Sequence, residues 1–197
     1  SLVRPEGALL KGLGGVASGP EPLRVLHAHT REVCERYLRG EFGATRLKAD
    51  LMNGVGKCVV MGGIRHSAEL LVGSIHDEEF LDLKNYEKHP ERAEFGWLSN
   101  NSVALETHED FVKLPEIAAR IRANGEPGFI NRVAMQKFGR FGREMPDRAR
   151  GTNPCSEIPL ENREVCNLAE CFPTRCADDM TLFRAMRLAT LYCSTVA

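Results

Sequence analysis

Nothing in the 197 residues approaches the run of roughly 18 apolar residues that a membrane-crossing helix needs. No basic n-region followed by an apolar stretch opens the chain, so no secretory signal is read. Excess charge is lacking too: 26 Lys and Arg face 27 Asp and Glu, a formal net charge of −1. That balance argues against a protein that grips nucleic acid by bulk charge, and it offers no polybasic membrane signal. There is no internal repeat, low-complexity stretch or evident linker. With 43% hydrophobic and 27% charged residues the chain is ordinarily globular rather than disordered. Cytoplasmic localisation is expected, with no nucleic-acid or membrane partner.

The cysteines lack the marks of a disulfide framework. Seven is an odd number, and no signal sequence accompanies it. Cys34, Cys58 and Cys193 sit in helical-looking stretches and read as small buried hydrophobes. Cys155, Cys166, Cys171 and Cys176 crowd together but show no Cys-x2-Cys knuckle, and no His lies near them. No metal site is therefore expected; redox or nucleophilic use of one or two thiols fits better. A cysteine protease needs a His base beside its thiol, yet all six histidines lie between His27 and His108.

What is present reads as alternating helices and strands. Pro20-Glu21-Pro22 opens a helix that runs to about Leu38 and stops at Gly40. A second helix is expected over about Leu47 to Met61, with Gly54 and Gly56 suggesting tight packing. Ala68 to Gly73 and Ser102 to Glu106 read as strands, with a short acidic-capped helix at Asp77 to Leu83 between them. Thr107 with Asp110 resembles a capping box; Phe111, Leu114, Ile117, Ala118 and Ile121 then mark one helical face, ended by Asn124-Gly125. Gly128 to Ile130 reads as a further strand, and Asp178 or Asp179 caps a last helix. The fold class is α/β, as one domain or part of one. Ser1 in place of Met, and a helical pattern cut off at Ala197, lead us to expect part of a longer polypeptide.

Two segments carry chemistry. Leu9 to Pro20 is a Gly-rich loop, which suits close backbone approach to a ligand, but it matches neither a dinucleotide fingerprint nor a P-loop. The other is Gly151-Thr152-Asn153-Pro154-Cys155-Ser156-Glu157-Ile158-Pro159-Leu160. Asn153 precedes a proline and is pushed toward extended geometry. In an extended chain Asn153, Cys155 and Glu157 share a face, which places an amide, a thiol and a carboxylate in one small site. Pro154 and Pro159 discourage a central strand, so a loop pushed into a cleft is expected. The competing view is a turn with a buried thiol.

Asn153-Pro154-Cys155-Ser156-Glu157-Ile158 followed by Glu164-Val165-Cys166-Asn167-Leu168 resembles the active-site signature of the ribonucleotide reductase large chain. The most similar form is the adenosylcobalamin-dependent class II enzyme of ribonucleoside-triphosphate type. Gly14 to Pro20, Gly62 to Ala68 and Trp97 to Val103 resemble further stretches of that family, in family order.

The resemblance implies part of a ten-stranded α/β barrel with a central active-site finger loop. It implies one partial domain over 1–197, with effector and substrate loops in 12–73 and the active-site loop and following strand in 151–168. By the same resemblance Cys155 carries a thiyl radical that takes the ribose 3′-hydrogen. Glu157 takes the 3′-hydroxyl proton, Asn153 holds the ribose hydroxyls, and Cys166 is half of the reducing dithiol. Its partner cysteine in the family has no counterpart among the residues before Cys155, and no residue is assigned to hold the cofactor. The loop of Gly62, Gly63, Arg65, His66 and Ser67 is implied to lie between substrate and effector, with His66 departing from the residue often found in relatives. The expected cofactor is adenosylcobalamin. The expected partners are a ribonucleotide, a deoxynucleotide effector and thioredoxin or a similar reductant. Two alternatives stay open: the large chain of a diiron-dependent class I reductase, and a non-catalytic Cys-rich module that binds metal or nucleotide. The 197 residues alone are expected to be inactive.

Overall fold

A computed structural model of the chain describes residues 2–10, 15–61, 68–142 and 144–195. The Gly62 to Ser67 loop and residues 11–14 of the Gly-rich stretch lie outside the described residues.

Strands β1 (Glu69–Ser74), β2 (Ser99–Leu105) and β3 (Gly128–Asn131) form a parallel sheet in the order β1-β2-β3. Glu69 pairs with Ser99 and Ser102 with Gly128 in its register. As the middle strand, β2 is buried at every position but Asn100, as expected where helices cover both faces of a parallel sheet. Helices precede and connect the strands, so the α/β class stands.

Local signals set the helices. α1 (Glu21–Leu38) begins on Pro20-Glu21-Pro22, and the chain leaves it at Gly40 with φ 75°. α2 (Ala44–Val60) begins three residues before the expected Leu47. Its two glycines are indeed sites of close packing: a Cβ would sit 2.5 Å from His29 at Gly54 and 2.7 Å from the Glu69 carboxylate at Gly56. Asp77 caps α3 (Glu78–Leu81) by accepting from the Phe80 amide at 3.1 Å. Asp110 accepts from the amides of Glu106 and Thr107, the reciprocal half of a capping box, and a 3-10 turn over Glu109–Lys113 leads into α4 (Leu114–Asn124). Gly125 closes α4 at φ 81°. α5 (Arg132–Phe138) was not expected; it starts directly where β3 ends, because Asn131 is both the last strand residue and the helix cap, accepting from the Ala134 amide.

Adjacent strand residues face opposite ways, and the core divides accordingly. Leu71 packs with Ala49, Ile75, Phe80, Leu81, Leu83, Val103, Leu105 and Ile117, joining α2, α3, β2 and α4. Leu70 packs with Ile130, Met135 and Ala149 beside α5. Phe111, Leu114 and Ile121 border the first cluster, so the expected face of α4 is the packed one.

A two-stranded antiparallel hairpin, β4 (Gly151–Thr152) with β5 (Pro159–Leu160), follows α5. Beyond it, residues 161–172 carry no regular structure. α6 (Asp179–Thr195) is capped by Asp178, whose carboxylate accepts from the Thr181 amide at 2.7 Å. None of its described residues is buried, and Met180, Phe183, Met186, Leu188, Leu191 and Tyr192 stand exposed. No described helix is long and apolar enough to cross a membrane.

Candidate functional site: the Cys155 turn

The β4–β5 hairpin puts residues 153–158 at its tip. These residues are not extended. The Ser156 amide donates to the Asn153 carbonyl at 2.9 Å, closing a four-residue turn with Pro154 and Cys155 at its centre. Asn first and Pro second are favoured turn positions, because the Asn side chain bonds the local backbone and Pro presets φ. Ser156 then adopts φ 69°, reversing the chain, and the Asn153 amide donates to the Ile158 carbonyl at 3.1 Å.

The shared face expected for Asn153, Cys155 and Glu157 therefore does not form. The premise of extended geometry failed at Pro154, where the chain bends. Asn153 is buried, and its Oδ1 accepts from the Ile158 amide at 2.9 Å, spanning the turn from inside. Cys155 and Glu157 are both exposed, so the view of a turn with a buried thiol fails as well.

Two further features fix the tip and its stems. Asn100 at the start of β2 donates from Nδ2 to the Pro154 carbonyl at 2.8 Å. Below the hairpin, Arg140 forms a two-point pair with Asp147, through Nε and Nη2 at 2.8 Å, and reaches Glu164 at 2.5 Å. Asp147 precedes β4 and Glu164 follows β5, so one guanidinium clamps both stems. The Arg140 hydrogen bond holds the Asp147 carboxyl well below the usual range, with the Ala149 amide helping. The Glu161 amide and Arg140 likewise hold Glu164 down, and the two carboxylates hold Arg140 above its ordinary value. Sequence reasoning assigned no role to Asn100 or Glu164, although they lie in the Trp97 to Val103 and Glu164 to Leu168 stretches, and passed over Arg140 and Asp147. An arginine ahead of the hairpin and a carboxylate on each stem were the available signal.

Cys166 is half-buried in the irregular segment after β5 and is a free thiol, as are the other six cysteines. An open apolar cleft of about 560 Å3 lies between residues 167–173 and α6; it is lined by Cys171 and Cys193 and by none of residues 153–157. Among the described residues no group of three or more His, Cys, Asp or Glu is arranged to hold a metal ion.

Over its whole length the chain is 40% identical to a Dictyostelium discoideum protein named probable adenosylcobalamin-dependent ribonucleoside-triphosphate reductase, the match covering 26% of that protein. It is 41% identical, again over its whole length, to the adenosylcobalamin-dependent ribonucleoside-triphosphate reductase of Euglena gracilis, covering 27% of it. With the enzyme of the same name from Lactobacillus leichmannii it shares 41% identity over 88% of the chain and 23% of the relative. The chain thus spans about a quarter of the length of the curated relatives it matches. No protein-family model matches it, and no solved structure matches it.

Proposed function

We propose that this chain, homologous along its whole length to a segment of the adenosylcobalamin-dependent ribonucleoside-triphosphate reductases, supplies the radical-bearing loop of such an enzyme and part of its ten-stranded α/β barrel. The observation that carries the reading is the Cys155 turn. It presents an exposed thiol on a backbone tied at several points, with a carboxylate two residues away.

A thiol suits hydrogen-atom exchange because its S–H bond is weak enough for the transfer to run both ways. Adenosylcobalamin, when bound, supplies the radical chemistry that removes hydrogen from such a thiol. The exposed Cys155 fits that need; no residue of this chain is assigned to hold the corrin. The Cys155 sulfur radical takes the ribose 3′-hydrogen and later returns it. Glu157, exposed beside it, accepts the 3′-hydroxyl proton as general base. The 2′-hydroxyl leaves as water, and its replacement by hydrogen consumes two electrons and protons from a dithiol, of which Cys166 is one half, leaving a disulfide. Asn153 has its Oδ1 committed to the turn, so its amide NH2 is the group left to meet a ribose hydroxyl. By the resemblance of the Gly62 to Ala68 stretch, Arg65 contacts a nucleotide base or phosphate and the stretch transmits effector identity, and a thioredoxin-like partner resets the dithiol. Cytoplasmic localisation accords with this role.

The test is nucleotide reduction by the full-length reductase that carries this segment, with adenosylcobalamin and a dithiol reductant. Cys155→Ser abolishes deoxynucleotide formation, and so does Cys166→Ser, because the dithiol that supplies the two electrons of each reduction can no longer form; omitting the thioredoxin-like reductant from the wild type permits a single turnover. Sustained reduction by Cys155→Ser would refute the assignment.

A further inference from the structure

We propose that Asn100 is a positioning residue that sets the direction of the Cys155 side chain. The inference rests on the reading of the 153–158 turn as the reacting loop. Asn100 is an anomaly in its strand: it is the one exposed position of β2, and asparagine is a poor strand former. Its side chain crosses to a segment 54 residues later and donates to the Pro154 carbonyl at 2.8 Å.

That carbonyl is a specific point of control. The Pro154 C=O and the Cys155 N–H belong to one planar peptide unit. A hydrogen bond to the oxygen fixes the plane that enters Cys155. The plane that leaves Cys155 ends in the Ser156 amide, which is held by the Asn153 carbonyl at 2.9 Å. With both planes held, φ and ψ of Cys155 are set, and so is the direction of its Cα–Cβ bond. Asn153 provides the hold from inside the turn and Asn100 from outside. The outer anchor sits on β2, the central strand: Asn100 pairs with Leu70 of β1, and two residues on, from Ser102, the strand is paired with β3 as well, which stiffens the support. A thiol can thus remain open to a reactant while its backbone stays in place.

The test uses the full-length reductase and three variants. Asn100→Ala removes the donor. Asn100→Asp keeps size and shape but turns a donor into an acceptor-only carboxylate that repels the carbonyl. Asn100→Gln retains a donor amide. In the Ala and Asp variants kcat is expected to fall about 10- to 100-fold with KM within about twofold, because misplacement by ~1 Å of a reacting group costs about that much. Gln restores part of kcat. In protein without cofactor, the rate of Cys155 alkylation by iodoacetamide, read by mass spectrometry, changes severalfold in the Ala and Asp variants. Their melting temperatures stay at the wild-type value. Wild-type kcat in Asn100→Asp, or an unchanged Cys155 alkylation rate, would overturn the proposal. If the wild-type enzyme reduces no ribonucleotide, the functional reading fails by itself, and the alkylation rates still decide whether Asn100 orients the thiol.

Discussion

Asp50→Asn is expected to cost about 3–5 kcal/mol of stability, although it changes a single atom. Asp50 is 1% exposed and lies between two buried guanidiniums. Its Oδ1 accepts from Arg92 Nε at 2.7 Å, and its Oδ2 from Arg46 Nε at 3.3 Å. Arg46 has other partners in Glu91, His89 and the Phe42 ring. Arg92 does not: it is fully buried, and among the described residues Asp50 is its one carboxylate, with Asn53 Oδ1 at 3.2 Å and the Phe95 ring beside it. The neutral amide leaves that cation desolvated without a counter-charge. In a protein of this size each kcal/mol moves the melting temperature by about 2–4 °C, so the expected fall is roughly 6–20 °C. Equilibrium urea unfolding followed by circular dichroism gives the free energy directly. Arg92→Met alone strands the Asp50 charge on one remaining partner and also destabilises. Combining Asp50→Leu with Arg92→Met removes both charges, and the double variant is expected to be more stable than either Asp50→Asn or Arg92→Met. A loss below about 1 kcal/mol for Asp50→Asn, or a double variant no more stable than Arg92→Met, would show that the network is not held as a buried ion pair.

Gly73→Ala places a Cβ 2.3 Å from the ring of Phe80, itself only 6% exposed and boxed into the core, so the strand and ring must both shift. A loss of about 1–3 kcal/mol in urea unfolding is expected, and wild-type stability would mean that the ring has room to retreat. Acid should destabilise the fold in a definite window through Glu91. Partial burial pushes its carboxyl up, but the hydrogen bond and charge of Arg46 outweigh this and hold it at about 2, against 4.5 ordinarily. The folded value lies below the unfolded one, so its stabilising contribution is complete above the ordinary value and disappears as pH falls toward 2. Melting temperatures between pH 6 and pH 2 should fall less steeply for Glu91→Gln than for wild type; parallel curves would remove Glu91 from the acid response.

Features that depend on neighbours in the chain were readable without a structure. Gly40 and Gly125 end helices where their free rotation is used, and Pro20-Glu21-Pro22 begins one, because these effects act within a single turn. The strand positions near 69–74, 99–105 and 128–131 followed from apolar runs between turn signals, to within about three residues. The Asn153-Pro154 step was read for only half of what it says. Proline does extend the residue before it, but Asn followed by Pro also opens a turn, and the turn decided which side chains share a face.

Alone, then, the sequence determined the α/β alternation and the ends of the helices with strong local signals, and it singled out the segment around Cys155 as the candidate chemical centre, since each follows from local propensity or from a motif written in consecutive residues. Tertiary structure decided which polar groups are buried and which backbone atoms they hold. Asn100 meets Pro154, Arg140 joins Asp147 to Glu164, and Asp50 neutralises Arg92 across separations of 54, 24 and 42 residues. Such pairings depend on how elements dock on the sheet, and an isolated Asn, Asp or Arg reads in sequence like any solvated surface residue. The Cys155 thiol could be named from its neighbours; the bonds that keep its backbone in place came from strands and stems distant in the chain.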